Sequence, residues 1–270
     1  MTMRRLWMAT ALAAVALSAW GQGDRIITNA RMLGVGSHRL LDTYLSPENY
    51  SGWQVQLLSH TLRSRDSLRH YREIIHHGSL STLDNRSGNG GEITGFYNFQ
   101  YGWHWQWVKM AVAGGTLTVG GGVNIDAVLG FVYNTRNSNN PAQAKASVAV
   151  APTAEASYRW HIKGHPFLLR YEVGVPVAGL TFSPNYGQSY YEIFTQGNYD
   201  HNVAPTWVGN APSLWQMATL DVPIRRTTLR IGYWGNYRQT EVNQLKFHTY
   251  SHAVMIGIVR TFSIHKHAHP

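Results

Sequence analysis

Between Glu92 and Trp107 the chain alternates two kinds of side chain. One register runs Glu92, Thr94, Phe96, Asn98, Gln100, Gly102, His104, Gln106, almost wholly polar or small. The other runs Ile93, Gly95, Tyr97, Phe99, Tyr101, Trp103, Trp105, Trp107 and grows steadily more aromatic. Period two belongs to an extended strand with one wet face and one apolar face. A helix would scatter Glu92, Asn98 and Gln106 around its axis. The segment is long beside soluble strands of about five or six residues. A strand crossing a bilayer at a tilt needs roughly 9–11 residues and ends in an aromatic girdle, which Tyr101, Trp103, Trp105 and Trp107 resemble. A half-buried strand of a soluble sandwich is the alternative, and it weakens if neighbouring segments repeat the pattern.

They do. In Thr116 to Asn134, Leu117, Val119, Val123, Ile125, Leu129, Phe131 and Tyr133 form an outward register against Thr118, Asn124, Asp126 and Asn134. In Ala144 to Lys163, Val148, Val150, Tyr158, Trp160 and Ile162 alternate with Lys145, Thr153, Glu155, Arg159 and His161. Phe167 to Val177, Leu214 to Val222, Thr228 to Tyr237 and Tyr250 to Phe262 follow the same rule. Pro152 and Pro176 remove ladder donors, so bulges are expected there. Ile26 to Gly36 and Trp53 to Leu62 alternate more weakly, and the pattern is poorest from about His70 to Thr82. Connections near 64–69, 109–115, 163–165 and 223–226 are short, whereas 41–52, 84–91, 135–143, 183–213 and 239–247 read as loops. Short periplasmic turns and longer external loops are the asymmetry of an outer-membrane barrel. The pattern predicts an all-β fold, a transmembrane antiparallel β-barrel of about ten strands, or twelve if Tyr186 to Val208 adds a hairpin.

Met1 to Gly21 reads as a secretory signal: Arg4 and Arg5, an uncharged apolar stretch from Leu6 to Leu17, then Ala19-Trp20-Gly21 before cleavage at about Gln22. The expected organisation is 1–21 signal peptide, 22–264 barrel and 265–270 a His-rich C-terminal tail. The location implied is the outer membrane of a Gram-negative bacterium. Composition fits. Charged residues are 14%, against roughly 25% in soluble domains. The mean hydropathy of -0.26 conceals lipid-facing residues by averaging them with lumen residues. The absence of cysteine excludes disulfides, thiolate metal sites and a cysteine nucleophile. A net charge of +9 suggests nucleic acid. Here, however, Arg63, Arg65, Lys163, Arg225, Arg226 and Lys266 sit at strand ends, turns and tail, without a stripe of stacking aromatics. Nucleic acid is therefore not an expected partner. Outer-membrane lipids and lipopolysaccharide phosphates suit such rim charges, and insertion would need the barrel-assembly machinery.

Charges also fall in inward registers: Glu92, Asp126, Glu155 and Arg159, then Arg170, Glu172, Asp221 and Arg230. In a barrel of about ten strands, charges of both signs cross-brace the lumen, since wide aqueous channels need about 16–18 strands. A narrow solute conduit is the alternative. Barrel hydrolases offer another reading, with Ser, His and a carboxamide at the outer rim. The candidates are His248, Ser251 and His252 with Asn134, Asn137, Asn139 or Asn140, acting on a phospholipid or lipid A acyl ester. Ser251 and His252, being adjacent, point to opposite faces of a strand and cannot pair. No cofactor and no metal site is expected: His76 and His77 also alternate faces. External loops present Tyr44, Tyr50, Asn139, Asn140, Tyr186, Tyr190 and Tyr191 as candidate binding residues. Ser46-Pro47-Glu48-Asn49-Tyr50 and Ser183-Pro184-Asn185-Tyr186 echo each other and are expected to pack as a lid.

Four phrases carry a resemblance: LDTYLSP at 41–47, YNTRNSNNPAQAKA at 133–146, SPNYGQSYYEIF at 183–194 and HTYSH at 248–252. They resemble a family of secreted, barrel-type proteins of Gram-negative bacteria filed as a domain of unknown function. That resemblance implies an outer-membrane location and no known activity. The likeness to outer-membrane phospholipases is superficial, because the His-x-Ser-Asn-Gly arrangement associated with them is absent. The expectation is a barrel of structural or ligand-binding type with its lumen plugged by charges.

Overall fold

A computed structural model of the chain describes residues 25–65, 69–138 and 140–264. The expected signal peptide and the His-rich tail lie outside the described residues. The strands are β1 (Arg25–Asp42), β2 (Ser46–Arg65), β3 (His70–Asn85), β4 (Gly91–Val112), β5 (Gly115–Asn134), β6 (Ala142–Ile162), β7 (His165–Gly174), β8 (Ala178–Phe182), β9 (Val203–Trp207), β10 (Ser213–Ile224), β11 (Thr227–Val242) and β12 (Leu245–Ile264). A short helix, α1 (Tyr190–Phe194), lies between β8 and β9. No helix among the described residues is long and apolar enough to cross a membrane, which says nothing of strands.

β1 to β7 pair in sequence, β7 pairs with β10, and β10, β11 and β12 lead back to β1. The result is a closed antiparallel ring of ten strands. Closure gives each of the ten ring strands a partner on both sides. β8 and β9 add a short hairpin beside β6, so twelve strand segments build a ring of ten.

One end of the ring is tied by tight turns. Ala113-Gly114 and Lys163-Gly164 have both φ values positive, at 46° and 77° and at 50° and 80°. That conformation matches the right-handed twist of the flanking strands. The other end carries the segments 86–90, 135–141 and 183–202. Two expected loops there prove to be strand. β1 and β2 run on to the pair Asp42–Ser46, with a bulge after Leu41, and β11 and β12 pair up to Val242–Leu245. Turn-forming residues such as Pro47 and Asn49 hid this, because a rim strand held on one side tolerates them.

The outer wall is apolar. Val35, Leu57, Leu80, Leu129, Val254 and Leu169 stand exposed on different strands, with Leu57 at 64% and Val254 at 65%. Soluble proteins rarely expose contiguous apolar patches beyond a few hundred Å2. Trp103, Trp105 and Trp107 are exposed toward the tight-turn end, where the half-buried Trp160 and Phe167 stack their rings at 5.6 Å.

Inside, the inward register is layered. Nearest the tight turns lies a charged layer around Glu73 and Arg170. Above it Met32, Leu58, Ile75, Met217, Met255 and two tryptophans, Trp215 and Trp234, form an apolar core cluster. Fully burying one such side chain is worth about 1.5–3 kcal/mol. On the loop side of that cluster, polar residues line a vestibule, among them His38, Gln54, His77 and Asn98.

Candidate functional site

The charged layer is built by facing inward positions of β2, β3, β4, β6, β7, β10 and β11. Arg170 Nη2 lies 3.1 Å from Glu73, 2.7 Å from Glu155 and 2.9 Å from Glu172. Arg230 grips Asp221 with Nε and Nη2 at 2.5 and 2.8 Å, a bidentate pair across neighbouring strands. Its Nη1 reaches His60 Nδ1 at 3.1 Å. A guanidinium can only donate, so His60 Nδ1 accepts and its Nε2 donates to Glu73 Oε1 at 2.6 Å. His104 Nε2 stands 2.9 Å from Asn124 Oδ1 and 3.2 Å from Glu73 Oε2, while its ring stacks on Tyr71 at 5.1 Å. Gly102 makes this possible, since a Cβ there would lie 2.0 Å from Asn124 Oδ1.

His60, Glu73 and Glu172 hold potential ligand atoms within 4.8 Å of one another. The Arg170 guanidinium donates into the same carboxylates, so the positive charge a metal would supply is already present.

The vestibule above has different chemistry. His38 lies between Ser81 Oγ and Thr249 Oγ1, both at 2.7 Å. Asp126 accepts from Asn98 at 2.6 Å and from Arg238 at 2.9 Å. Lys145 pairs with Asp42 at 2.9 Å and sits 3.9 Å over the Phe247 ring. Phe96 and Phe182 also line the space.

Expected site residues distribute as follows. Glu155, Arg170, Glu172, Asp221 and Arg230 meet in the charged layer. Asp126 belongs to the vestibule wall. Glu92 stands apart near the loop end, accepting from Asn134 Nδ2 at 3.0 Å. Arg159 departs from expectation: it keeps the inward parity but lies near the tight-turn end of β6, past the closed lumen, and is exposed. Glu73, His60, His104 and Arg238 were not anticipated.

The hydrolase candidates do not come together. Ser251 faces the lumen, where its Oγ accepts from Gln54 and Gln56 at 2.7 and 2.8 Å. His248 and His252 belong to the opposite register, and His252 bonds Tyr233 at 2.6 Å on the outer side. Asn134 Oδ1 accepts from the backbone of Arg136 and Asn137, which makes it a turn former. His76 bonds outward to Tyr97, and His77 bonds inward to Gln56.

At the loop end, Tyr44 donates to Gln188 O at 2.9 Å, joining the β1–β2 turn to the 183–202 segment. Asn243 Nδ2 donates to Ser183 O and His201 O at 3.0 Å, a second tie. Burial, then Asp42 and Glu192, pushes the Tyr44 phenol up to about 12. Burial also raises Tyr190, whose OH accepts from Ala144 N at 2.7 Å. Ser189 and Glu192 cap α1 reciprocally, and the Ser189 N–H holds the exposed Glu192 carboxyl below its usual range. Tyr50 is buried and bonds Ser46 and Asn134. Tyr186 and Tyr191 are exposed, Asn140 N donates to Asn137 Oδ1 at 3.1 Å, and Asn139 lies outside the described residues.

The family model described as "Protein of unknown function (DUF3316)" matches residues 4–268, and the chain belongs to that family. No curated protein matches it in sequence. Among solved structures, the chain is similar to the outer membrane protease OmpT from Escherichia coli, with 7% identity and TM-score 0.47, covering 88% of this chain and 96% of that one. The translocator domain of the autotransporter NalP from Neisseria meningitidis gives 11% identity and TM-score 0.35 over 93% and 95%. The outer membrane protein OprG from Pseudomonas aeruginosa gives 9% and 0.34 over 89% and 96%.

Proposed function

We propose that the protein spans the outer membrane as a closed barrel and binds a small amphipathic molecule in its loop-side vestibule. The apolar outer wall and its aromatic ends support membrane insertion, because water would not tolerate that surface. The observation that carries the binding reading is the blind end of the vestibule. Trp215, Trp234 and their neighbours close the lumen below it, and the charged layer closes it again beneath them. A space open on one side, with aromatic rings and a few directed polar groups, suits binding better than passage. The Arg170 and Arg230 clusters then serve as braces. Solute conduction and acyl hydrolysis have less support, since the lumen is blocked twice and Ser251 lies on the opposite face from His248 and His252.

Titration of the purified, heat-modifiable barrel with a short-chain alkyl carboxylate tests this. Saturable binding, weakened in Lys145→Met and Arg238→Met, is expected. Binding that is absent, or indifferent to both changes, would overturn the reading.

A further inference from the structure

The wall is interrupted beside the vestibule. β7 and β10 pair up to Gly174–Trp215, and the next pair along these walls is Ala178–Trp207, between β8 and β9. Residues 175–177 on one side and 208–214 on the other part from each other there. Each side keeps its outer neighbour. Val175 N and Val177 N donate to Pro152 O and Val150 O of β6, at 3.1 and 2.9 Å. Ser213 and Leu214 pair with Arg238 and Tyr237 of β11, and Asn210 O accepts from Glu241 N. The break is therefore an eyelet between two intact flanks.

Part of its backbone is satisfied locally. Unsatisfied peptide groups facing lipid are prohibitively costly, and irregular backbone survives at that depth only beside a cavity. Pro176 and Pro212 carry no N–H to satisfy. Asn210 Oδ1 takes the Trp207 N–H at 2.8 Å, and its Nδ2 donates to Pro205 O at 3.0 Å. Ala211 N closes back on Trp207 O at 2.8 Å.

The vestibule reaches this eyelet. It is lined by Pro176, Val177 and Ala178 from one margin and Trp207, Ala211 and Ser213 from the other. Pro176 is buried, whereas Ala178 and Trp207 are exposed, so the space touches both faces of the wall here. Height follows from register: Leu214 pairs with Tyr237, whose OH contacts His252 on the outer side at 3.2 Å. From Trp160 at the opposite belt to Pro152, β6 climbs roughly 20 Å at ordinary rise and tilt, which reaches the outer leaflet of a band about 25 Å tall. Inside, the lining cations Lys145 and Arg238 are held by Asp42 and Asp126 at 2.9 Å each. Phe96, Phe182 and Phe247 supply apolar surface beside them.

We propose that this eyelet is a lateral entrance through which a single-chain anionic amphiphile passes from the outer leaflet into the vestibule. Its chain lies against the phenylalanines, and its carboxylate faces Lys145 and Arg238. The proposal rests on the ligand-binding reading above and adds the route and the ligand class.

The test is photo-crosslinking in proteoliposomes, with a long-chain alkyl carboxylate bearing a diazirine near its head as the membrane-borne probe. A soluble short-chain carboxylate is titrated in parallel. Val177→Cys/Ala211→Cys, in a chain with no other cysteine, is compared before and after joining its thiols with a short reducible cross-linker. Ala211→Trp blocks the same place by bulk, and each variant is first checked for the heat-dependent gel shift of a folded barrel. The expected result is adducts on Phe96, Phe247 and the eyelet margins in the open protein. Cross-linking or Ala211→Trp should reduce these to the level of lipid-face labelling, while the soluble probe still binds. Vestibule adducts that persist undiminished in both blocked forms would overturn the lateral route. Adducts confined to the lipid face, with soluble binding intact, would overturn the long-chain ligand and leave the binding reading standing. If neither probe enters the vestibule, both readings fall.

Discussion

Trp215 and Trp234 stack face to face inside the barrel, with centroids 5.6 Å apart and planes 15° from parallel. They are diagonal neighbours, since Trp215 pairs with Asn236 and Met217 with Trp234. Gly174 leaves the room they need: a Cβ on it would lie 2.4 Å from Trp215 Cε2. The His77 ring covers Trp234 from the vestibule side at 4.9 Å. This pair is the centre of the apolar septum between vestibule and charged layer.

Trp234→Ala removes a fully buried ring that rigid ladders on both sides cannot collapse around. It should destabilise the barrel by about 3–5 kcal/mol, the usual range for large aromatic deletions in a core. Reversible urea unfolding from detergent micelles measures this, and Trp234→Phe should recover more than half of the loss.

Arg170 is, among the described residues, the one arginine paired with three buried carboxylates at once, and its loss should be felt more than that of any one partner. Arg170→Met leaves Glu73, Glu155 and Glu172 without their shared cation, and removing one partner of a buried pair costs about 3–5 kcal/mol. The double variant Arg170→Met/Glu172→Gln removes one of the stranded charges with its partner. It should be more stable than Arg170→Met alone in the same unfolding assay.

Much of this was legible in the chain and some was not, for definite physical reasons. Alternation in 92–107, 116–134 and 144–163 gives the strand faces directly, because lipid on one side and lumen on the other impose opposite demands on neighbouring residues. β3 was the poorest pattern. Its inward residues include Glu73 and Ile75, and its outward ones include Arg72 and His76. Neither face is uniform, so the carboxylate at the centre of the charged layer gave no signal. The apolar septum was invisible for a related reason: an inward Trp234 or Met255 looks like an outward one until the register is fixed. Arg238 lay next to a supposed loop that proves to be strand. The wall break had a trace in Pro176 and in the turn formers around Asn210, yet pairing across 208–214 cannot be read from spacing.

The loop-end tie should respond to alkali. The Tyr44 phenol is raised from 10.0 to about 12, so the closed form holds its proton more tightly than the open one does. A group raised in this way contributes fully below its unfolded value and loses that contribution as pH rises through its folded value. A phenolate also cannot donate to Gln188 O. Protection of the 183–202 segment, followed by limited proteolysis, should be constant below pH 10 and fall between there and about 12. Tyr44→Phe, which has no proton to lose, should show weaker protection already at neutral pH and a shallower alkaline fall.

Planar-bilayer recording on the purified barrel tests the blind vestibule directly. The wild-type protein should insert without ionic conductance, and a variant that removes both lumen barriers, Trp215→Ala/Trp234→Ala/Arg170→Ala, should conduct if it still shows the heat-dependent gel shift. Steady, resolvable channel openings from the wild-type protein would contradict the septum, and with it the reading of the vestibule as a binding site closed from below.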